Sequence, residues 1–445
     1  MKILNNIKKA GSLLLIGAVF CTACNKLELD PTPNVQPEQS TTPTLATLLD
    51  DPNFSFLKAA VKKAGLLTTL GVPTQRFTVF APDNDAFTRS AATVGLTPAQ
   101  LIGALDTPTI RSIVSYHVVP QLIGSASISA GFPNFEYPTI LNPTTGKASF
   151  NPLVRLSTFP SKRPGGAWVN NIPITATDIM AVNGVAHKVY AVILPPAFFL
   201  WDTLPSTPPL NVNHSIFSEP DLTYLKAAVT RADSGVAAGS RLVDALTNFG
   251  ANLTVFAPTD AAMKQFLTAS IYRALLARVV PQPPTALDSA VALGTATFAV
   301  NTFGLEIISD PYNLLPPPYN VLLAKALTPT AVRGIVAYHI VSKQSGNYAP
   351  PGIRIFSVNA PIVATPLKTL LSPAAPLFVT DPDIIVKATF APGLPFVGAM
   401  TVKGVSNATA SNVIINAAPP FVHDLHFING VMHKIDQVLV PPPQR

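Results

Sequence analysis

Near its C-terminus the chain reads Asn429-Gly430-Val431-Met432-His433-Lys434-Ile435, repeating Asn183-Gly184-Val185-Ala186-His187-Lys188-Val189. Asn-Gly between alternating apolar stretches predicts a β-hairpin, because both residues tolerate the positive φ of a tight primed turn. Each copy therefore predicts a strand, a turn and a closing strand, the last over residues 189–194 and 435–440. Both closing strands run into Pro-Pro, which cannot continue a ladder, so a domain is expected to end there.

Three further landmarks recur in the same order. Phe56-Leu57-Lys58-Ala59-Ala60-Val61 is echoed by Tyr224-Leu225-Lys226-Ala227-Ala228-Val229, apolar at helical spacing, with Ser55 placed to cap the first copy. Phe77-Thr78-Val79-Phe80-Ala81-Pro82 is echoed by Leu253-Thr254-Val255-Phe256-Ala257-Pro258. Each reads as a buried strand handing over to a helix, with Asp83, Asp85 and Asp260 as N-terminal caps. Tyr116-His117 and Tyr338-His339 each close a helical stretch. Four landmarks in one order mark a tandem pair of large closed units and not a solenoid. Helices early and strands late in each copy predict an α+β fold.

Residues 45–196 then form a first domain and residues 214–445 a second. Between them, residues 197–213, with Pro205, Pro208 and Pro209, read as a short semi-rigid linker. The second copy carries extra sequence near 281–319 and 361–395, expected on the surface either as binding loops or as solvated decoration.

Ahead of the pair, Lys2, Lys8 and Lys9 precede an apolar run too short to span a bilayer, and residues 1–23 read as an export signal. The signal ends at Cys21-Thr22-Ala23-Cys24, which resembles a bacterial lipobox. That resemblance implies a lipid on Cys24 and an outer-membrane lipoprotein of the cell envelope; an ordinary signal peptide cut near Ala23 is the alternative. Residues 24–44, rich in Pro, Thr and Gln, read as a solvated tether. Lys26, Glu28 and Asp30 resemble the surface-export signal of Bacteroidetes lipoproteins, which implies display on the cell surface. Cys21 and Cys24 are the only cysteines, so neither a disulfide framework nor a cysteine metal site is expected in the mature protein. The formal charge of +7, three of it from the leader lysines, is too thinly spread for nucleic acid.

The landmarks together resemble the fasciclin-like (FAS1) domain family. The Thr-Val-Phe-Ala-Pro segment is similar to its first box and Tyr-His to its central dipeptide. Asp178-Ile179 through His187, or Ile414-Ile415-Asn416 through His433, is similar to its second box. The resemblance covers almost everything from Leu45 to Pro441. It implies a wedge of two small β-sheets packed with several helices, and adhesion to protein or glycan ligands without enzymatic activity. In the family the Tyr-His dipeptide is described as adhesive, in some members toward integrins, while its histidine packs inside and supports the two boxes.

The candidate site residues are therefore Tyr116, His117, Asn183, Gly184, His187, Tyr338, His339, Asn429, Gly430 and His433. On the sequence they are mainly structural, since a histidine between buried neighbours needs only one or two hydrogen bonds. His423-Asp424-Leu425-His426, with His433 beyond, is the one cluster that suggests a metal. On a strand, however, His423 and His426 point to opposite faces, and no metal or cofactor is expected. The sequence holds no Gly-x-Ser-x-Gly elbow and no phosphate-cradling glycine loop. These observations describe a lipid-anchored envelope protein that binds protein or glycan ligands. The alternatives are a periplasmic scaffold or assembly partner and, third, a hydrolase built from the second domain's insertions.

Overall fold

The computed structural model describes residues 43–143, 153–163, 165–202, 215–278, 283–313, 317, 320–321, 327–342, 353–390, 397–416 and 423–445. The export signal, Cys24 and the tether up to Thr42 lie outside the described residues. In the first half, helices α1 (Leu45–Leu48), α2 (Ser55–Lys63) and α3 (Leu67–Gly71) lead to strand β1 (Phe77–Pro82). Helices α4 (Asn84–Ala92), α5 (Pro98–Ala104) and α6 (Thr107–Tyr116) follow, then β2 (Val118–Val119), β3 (Tyr137–Pro138), β4 (Ser157–Thr158), β5 (Pro160–Arg163), β6 (Gly166–Val169), β7 (Ile172–Ala181) and β8 (Gly184–Val189). The second half repeats the plan with α7 (Thr223–Ala232), α8 (Leu242–Leu246), β9 (Leu253–Pro258), α9 (Asp260–Leu276), α10 (Ala286–Phe303), α11 (Glu306–Ser309) and α12 (Pro329–Tyr338). Its strands continue with β10 (Ile340–Val341), β11 (Thr365–Leu367), β12 (Ile384–Phe390), β13 (Val397–Lys403), β14 (Ser411–Asn412), β15 (Leu425–Phe427) and β16 (Gly430–Ile435). The architecture is α+β, with helices ahead of small sheets in each half.

Strands β1 and β9 sit inside their sheets with every residue buried, as a continuous apolar run requires. The sheet orders β2-β1-β8-β7 and β10-β9-β16-β15 are the same arrangement. Registers match too: Phe77 lies opposite Gly184 and Phe80 opposite His187, as Leu253 lies opposite Gly430 and Phe256 opposite His433. The halves then diverge. In the first, β7 runs on to pair with β6, giving one six-stranded sheet; in the second, the corresponding strand is broken between β14 and β15, giving two four-stranded sheets.

Several expectations are corrected by this geometry. The hairpins exist, but their two-residue loops are Val182-Asn183 and Ile428-Asn429, and each glycine is the first residue of the returning strand. Neither glycine has a positive φ; among the described non-glycine residues a positive φ falls on Asn170, in the turn between β6 and β7, and on Asp178 and Asp424. Glycine is needed at 184 and 430 because a Cβ would lie 2.2 Å from Phe77 O or 2.5 Å from Leu253 O. The returning strands end at Val189 and Ile435, so of the expected closing strands over 189–194 and 435–440 only the first residue lies in a strand. Ser55 does not cap α2; Asn84 Oδ1 accepts from the Phe56 N–H at 3.2 Å instead, while Asp83 caps α4 through the Ala86 N–H at 2.9 Å.

The expected linker is a linker only in part. Leu200 is fully buried in the core of the second half and Phe199 in that of the first; residues 203–214 lie outside the described residues. The extra sequence near 281–319 is mostly helix: α10 packs on α9 through Ala292, Ala296, Ala299 and Val300. Residues 361–395 are not an insertion as a block. Leu367 opposite Ile384 repeats Tyr137 opposite Thr158, so β11 and β12 are counterparts of β3, β4 and β5. The counterpart of Asp178 is Asp424, not the segment 414–416. Each has a positive φ, and each gives its N–H to the motif histidine nine residues on.

Candidate functional site

The Tyr-His dipeptide closes a helix in each half. His117, the C-cap of α6, places Nδ1 2.8 Å from Ile113 O, one turn back, and accepts the Ile193 N–H on Nε2 at 3.0 Å. His339 repeats this on α12 with Ile335 O at 2.8 Å and the Leu439 N–H at 2.9 Å. One nitrogen donates and the other accepts, which fixes a neutral imidazole. Burial pushes both rings down to about 4, only partly opposed by the helix carbonyl. Each histidine thus ties the end of a helix to the chain that leaves the returning strand.

The tyrosines tie the helix to the sheet. Tyr116 Oη donates to Ser157 O at 2.8 Å and accepts from Asn170 Nδ2 at 3.3 Å. Tyr338 Oη donates to Asp383 O at 2.8 Å and accepts the Val405 N–H at 2.9 Å. Burial raises both phenols, Tyr338 to about 12, so neither ionises near neutrality.

His187 and His433 stand at the centre of the returning strands. Nε2 donates to Ile123 O at 2.7 Å or Ile355 O at 2.6 Å, and Nδ1 accepts the N–H of Asp178 or Asp424 at 3.2 Å. Phe80 and Phe256 lie against the rings at 5.9 and 5.7 Å. Burial lowers both pKa values. The loop asparagines complete the set. Asn183 accepts the Leu45 N–H at 2.8 Å and donates to Leu70 O and Val72 O; Asn429 accepts the Leu200 N–H at 3.0 Å and donates to Leu246 O. Asparagine suits this position because its amide both donates and accepts, and here it fastens the start of each half to the end.

The motif residues are thus buried and bonded to backbone, and the two sets do not meet in one cleft. Among the described residues no group of three or more His, Cys, Asp or Glu side chains is placed to hold a metal. His433 has both ring nitrogens on backbone, and His426 Nε2 lies 2.8 Å from the Arg354 guanidinium. An apolar cavity beside His339, lined by Leu267 and Val336, measures only about 20 Å³, room for a single water. A shallow groove of about 430 Å³ runs along α7 past Thr223, Lys226, Thr230 and Arg231.

A second constellation escaped the sequence reading: the seam between the halves. Arg354, 5% exposed, donates to Asn252 Oδ1, to Phe427 O at 3.0 Å and to Ile428 O at 2.6 Å, with its guanidinium 4.9 Å from the Phe159 ring centre. Burial pushes it down to about 10, still charged at neutral pH. Arg163 reaches across to the carbonyls of Val358, Asn359 and Ala360. Asn252 bonds Glu136 at 2.9 Å, and Phe159 and Trp168 pack with Phe356, Val358 and Val431. The available signal was Arg354 itself, a lone cation in the apolar run Ile353 to Phe356.

The profile of the fasciclin domain matches residues 52–195. Transforming growth factor-beta-induced protein ig-h3 is similar, from pig at 33% identity over 169 residues and from rabbit at 30% over 167, each match covering 35% of this chain and 20% of the relative. The chain therefore spans about a fifth of those proteins. Protein sll1483 of Synechocystis is 37% identical over 143 residues, 32% of this chain and 68% of the relative. A solved FAS1 domain pair from the insect cell adhesion molecule fasciclin I covers 87% of this chain and 96% of its own, at 14% identity and a TM-score of 0.28. That score carries no argument; the strands, registers and repeated hydrogen bonds do, together with the sequence matches. The chain belongs to the fasciclin domain family.

Proposed function

We propose that the chain is a lipid-anchored cell-envelope protein that binds protein or glycan ligands through two tandem fasciclin modules. The observation that carries this reading is how the motif side chains are used: each motif histidine has both ring nitrogens on backbone atoms, so recognition falls to the outer faces. Family membership supports it, since the resemblance to fasciclin domains implies adhesion to protein or glycan ligands. Cys24 supplies the lipid and residues 24–44 the reach from the membrane. Two modules on one anchor gain avidity on a repeating ligand when the spacing fits. The test is an array of glycans and matrix proteins probed with the full chain at high avidity. Specific binding to at least one ligand class is expected; no binding above background to any class would defeat the reading.

A further inference from the structure

The first module docks on the second through one face of the β5–β6 hairpin, and among the described residues the matching face of the second module leaves Ile385, Lys387 and Thr389 exposed and Thr401 and Lys403 half-buried. The correspondence is fixed by hydrogen bonds: Tyr116 Oη donates to Ser157 O as Tyr338 Oη donates to Asp383 O, and Pro160 lies opposite Val169 as Val386 lies opposite Val402. Phe159, Ser161 and Trp168, buried at the seam, thus become Ile385, Lys387 and Thr401, and Arg163 becomes Thr389. Strand β12 alternates buried and exposed, with Ile385 42% exposed and Lys387 and Thr389 outward.

We propose that this outward face of the β11–β14 sheet is a binding surface for a polyanionic glycan chain. The proposal rests on the reading of the chain as a ligand-binding protein and gives it a face and a ligand class. Three observations carry it. The face corresponds to one that the fold uses for docking in the first module, and here Ile385, Lys387 and Thr389 are exposed on it. Its chemistry, though, has moved away from protein docking: the aromatic anchors Phe159 and Trp168 are replaced by Ile385 and Thr401, and lysine enters, whereas protein interfaces favour aromatics and exclude lysine from their centres. Finally, the charge within the strands themselves is of one sign. Strands β11 to β14 contain no Asp or Glu. Lys403 lies opposite Ile385 and Thr401 opposite Lys387, which sets the two lysines on a diagonal about 7–8 Å apart. The acids at the rim are engaged: Asp381 and Asp383 with Lys368, and Asp436 with Ser411 and Asn412. An extended chain with a carboxylate or sulfate on successive sugars meets these two cations and the hydroxyls of Thr389 and Thr401 without needing a pocket.

The test titrates the full chain with polygalacturonate, heparin and neutral dextran, at low and high salt. Binding to polygalacturonate or heparin that weakens with salt, and none to dextran, is expected; the first two arms separate carboxylate from sulfate. The double variant Lys387→Glu, Lys403→Glu should lose about tenfold or more in affinity. Its melting temperature should not move, because Lys387 is exposed and Lys403 half-exposed. Equal affinity of variant and wild type, or equal binding of dextran, would overturn the proposal. So would concentration-dependent self-association in sedimentation velocity that the double variant abolishes, which would make the face a contact between copies. A ligand from the array that the double variant still binds at wild-type affinity would overturn this face and leave the adhesion reading standing. No ligand of any class would overturn both.

Discussion

Each motif histidine joins backbone from separate stretches of chain, and each does so only while neutral. His117 and His339 have folded pKa values near 4, against about 6.5 in an unfolded chain. Between those values the unfolded chain binds protons that the folded one excludes. Stability is therefore full above about pH 6.5 and is lost as pH falls toward 4, by on the order of 3 kcal/mol for each ring. A urea midpoint that falls steadily across that window is expected; a flat one would contradict the buried neutral assignment. Asn429→Ala leaves the Leu200 N–H and Leu246 O unpaired inside the second core and should cost about 2–4 kcal/mol, read as a lower denaturation midpoint. These residues were legible in the sequence because they recur at fixed offsets. Their bonding was not, since Asn183 reaches Leu45 and Leu70 from far along the chain. Asp424 was missed for a different reason: sequence inserted after Val413 separates it from the strand that its counterpart Asp178 continues.

Among the elements, strands β1 and β9 were readable from continuous apolar runs and β8 and β16 from the returning Gly-x-x-His stretches, but their parallel pairing was not, since it joins segments more than a hundred residues apart. The glycines meant something other than expected. Their neighbours at 184 and 430 are a facing carbonyl and a leucine methyl, so close approach and not turn handedness excludes a side chain. Gly430→Ala should destabilise by about 1–3 kcal/mol, since Leu253 O is backbone and cannot give way. A midpoint within error of wild type would show that β9 and β16 are not held at this spacing. The expansions of the second half were harder to place from the sequence. Proline-rich stretches read as loops, yet Ala286 to Phe303 is a helix capped by Thr285 and Asp288, and its outer side leaves Leu287, Val291 and Phe298 exposed.

For the whole molecule, the seam makes the pair one unit. Local pattern marks Arg354 as a cation in an apolar run but not its partner, because Arg354 and Phe159 belong to different modules and meet only in three dimensions. Arg354→Met removes the donor for Phe427 O and Ile428 O and should lower stability by about 2–4 kcal/mol. In calorimetry, the single unfolding transition expected of the wild type should split into two in Arg163→Met, which loses the donor to Val358 O, Asn359 O and Ala360 O across the seam. Two transitions in the wild type would mean the modules fold independently. The central claim is that the Tyr-His and Asn-Gly-x-x-His residues hold the fold and the ligand meets the outer faces. The most direct measurement compares affinity for an array-identified ligand in wild type, Tyr338→Phe and His433→Gln, at a temperature where all three remain folded. Unchanged affinity with lowered melting temperatures is predicted; lost affinity with unchanged melting temperatures would contradict the account.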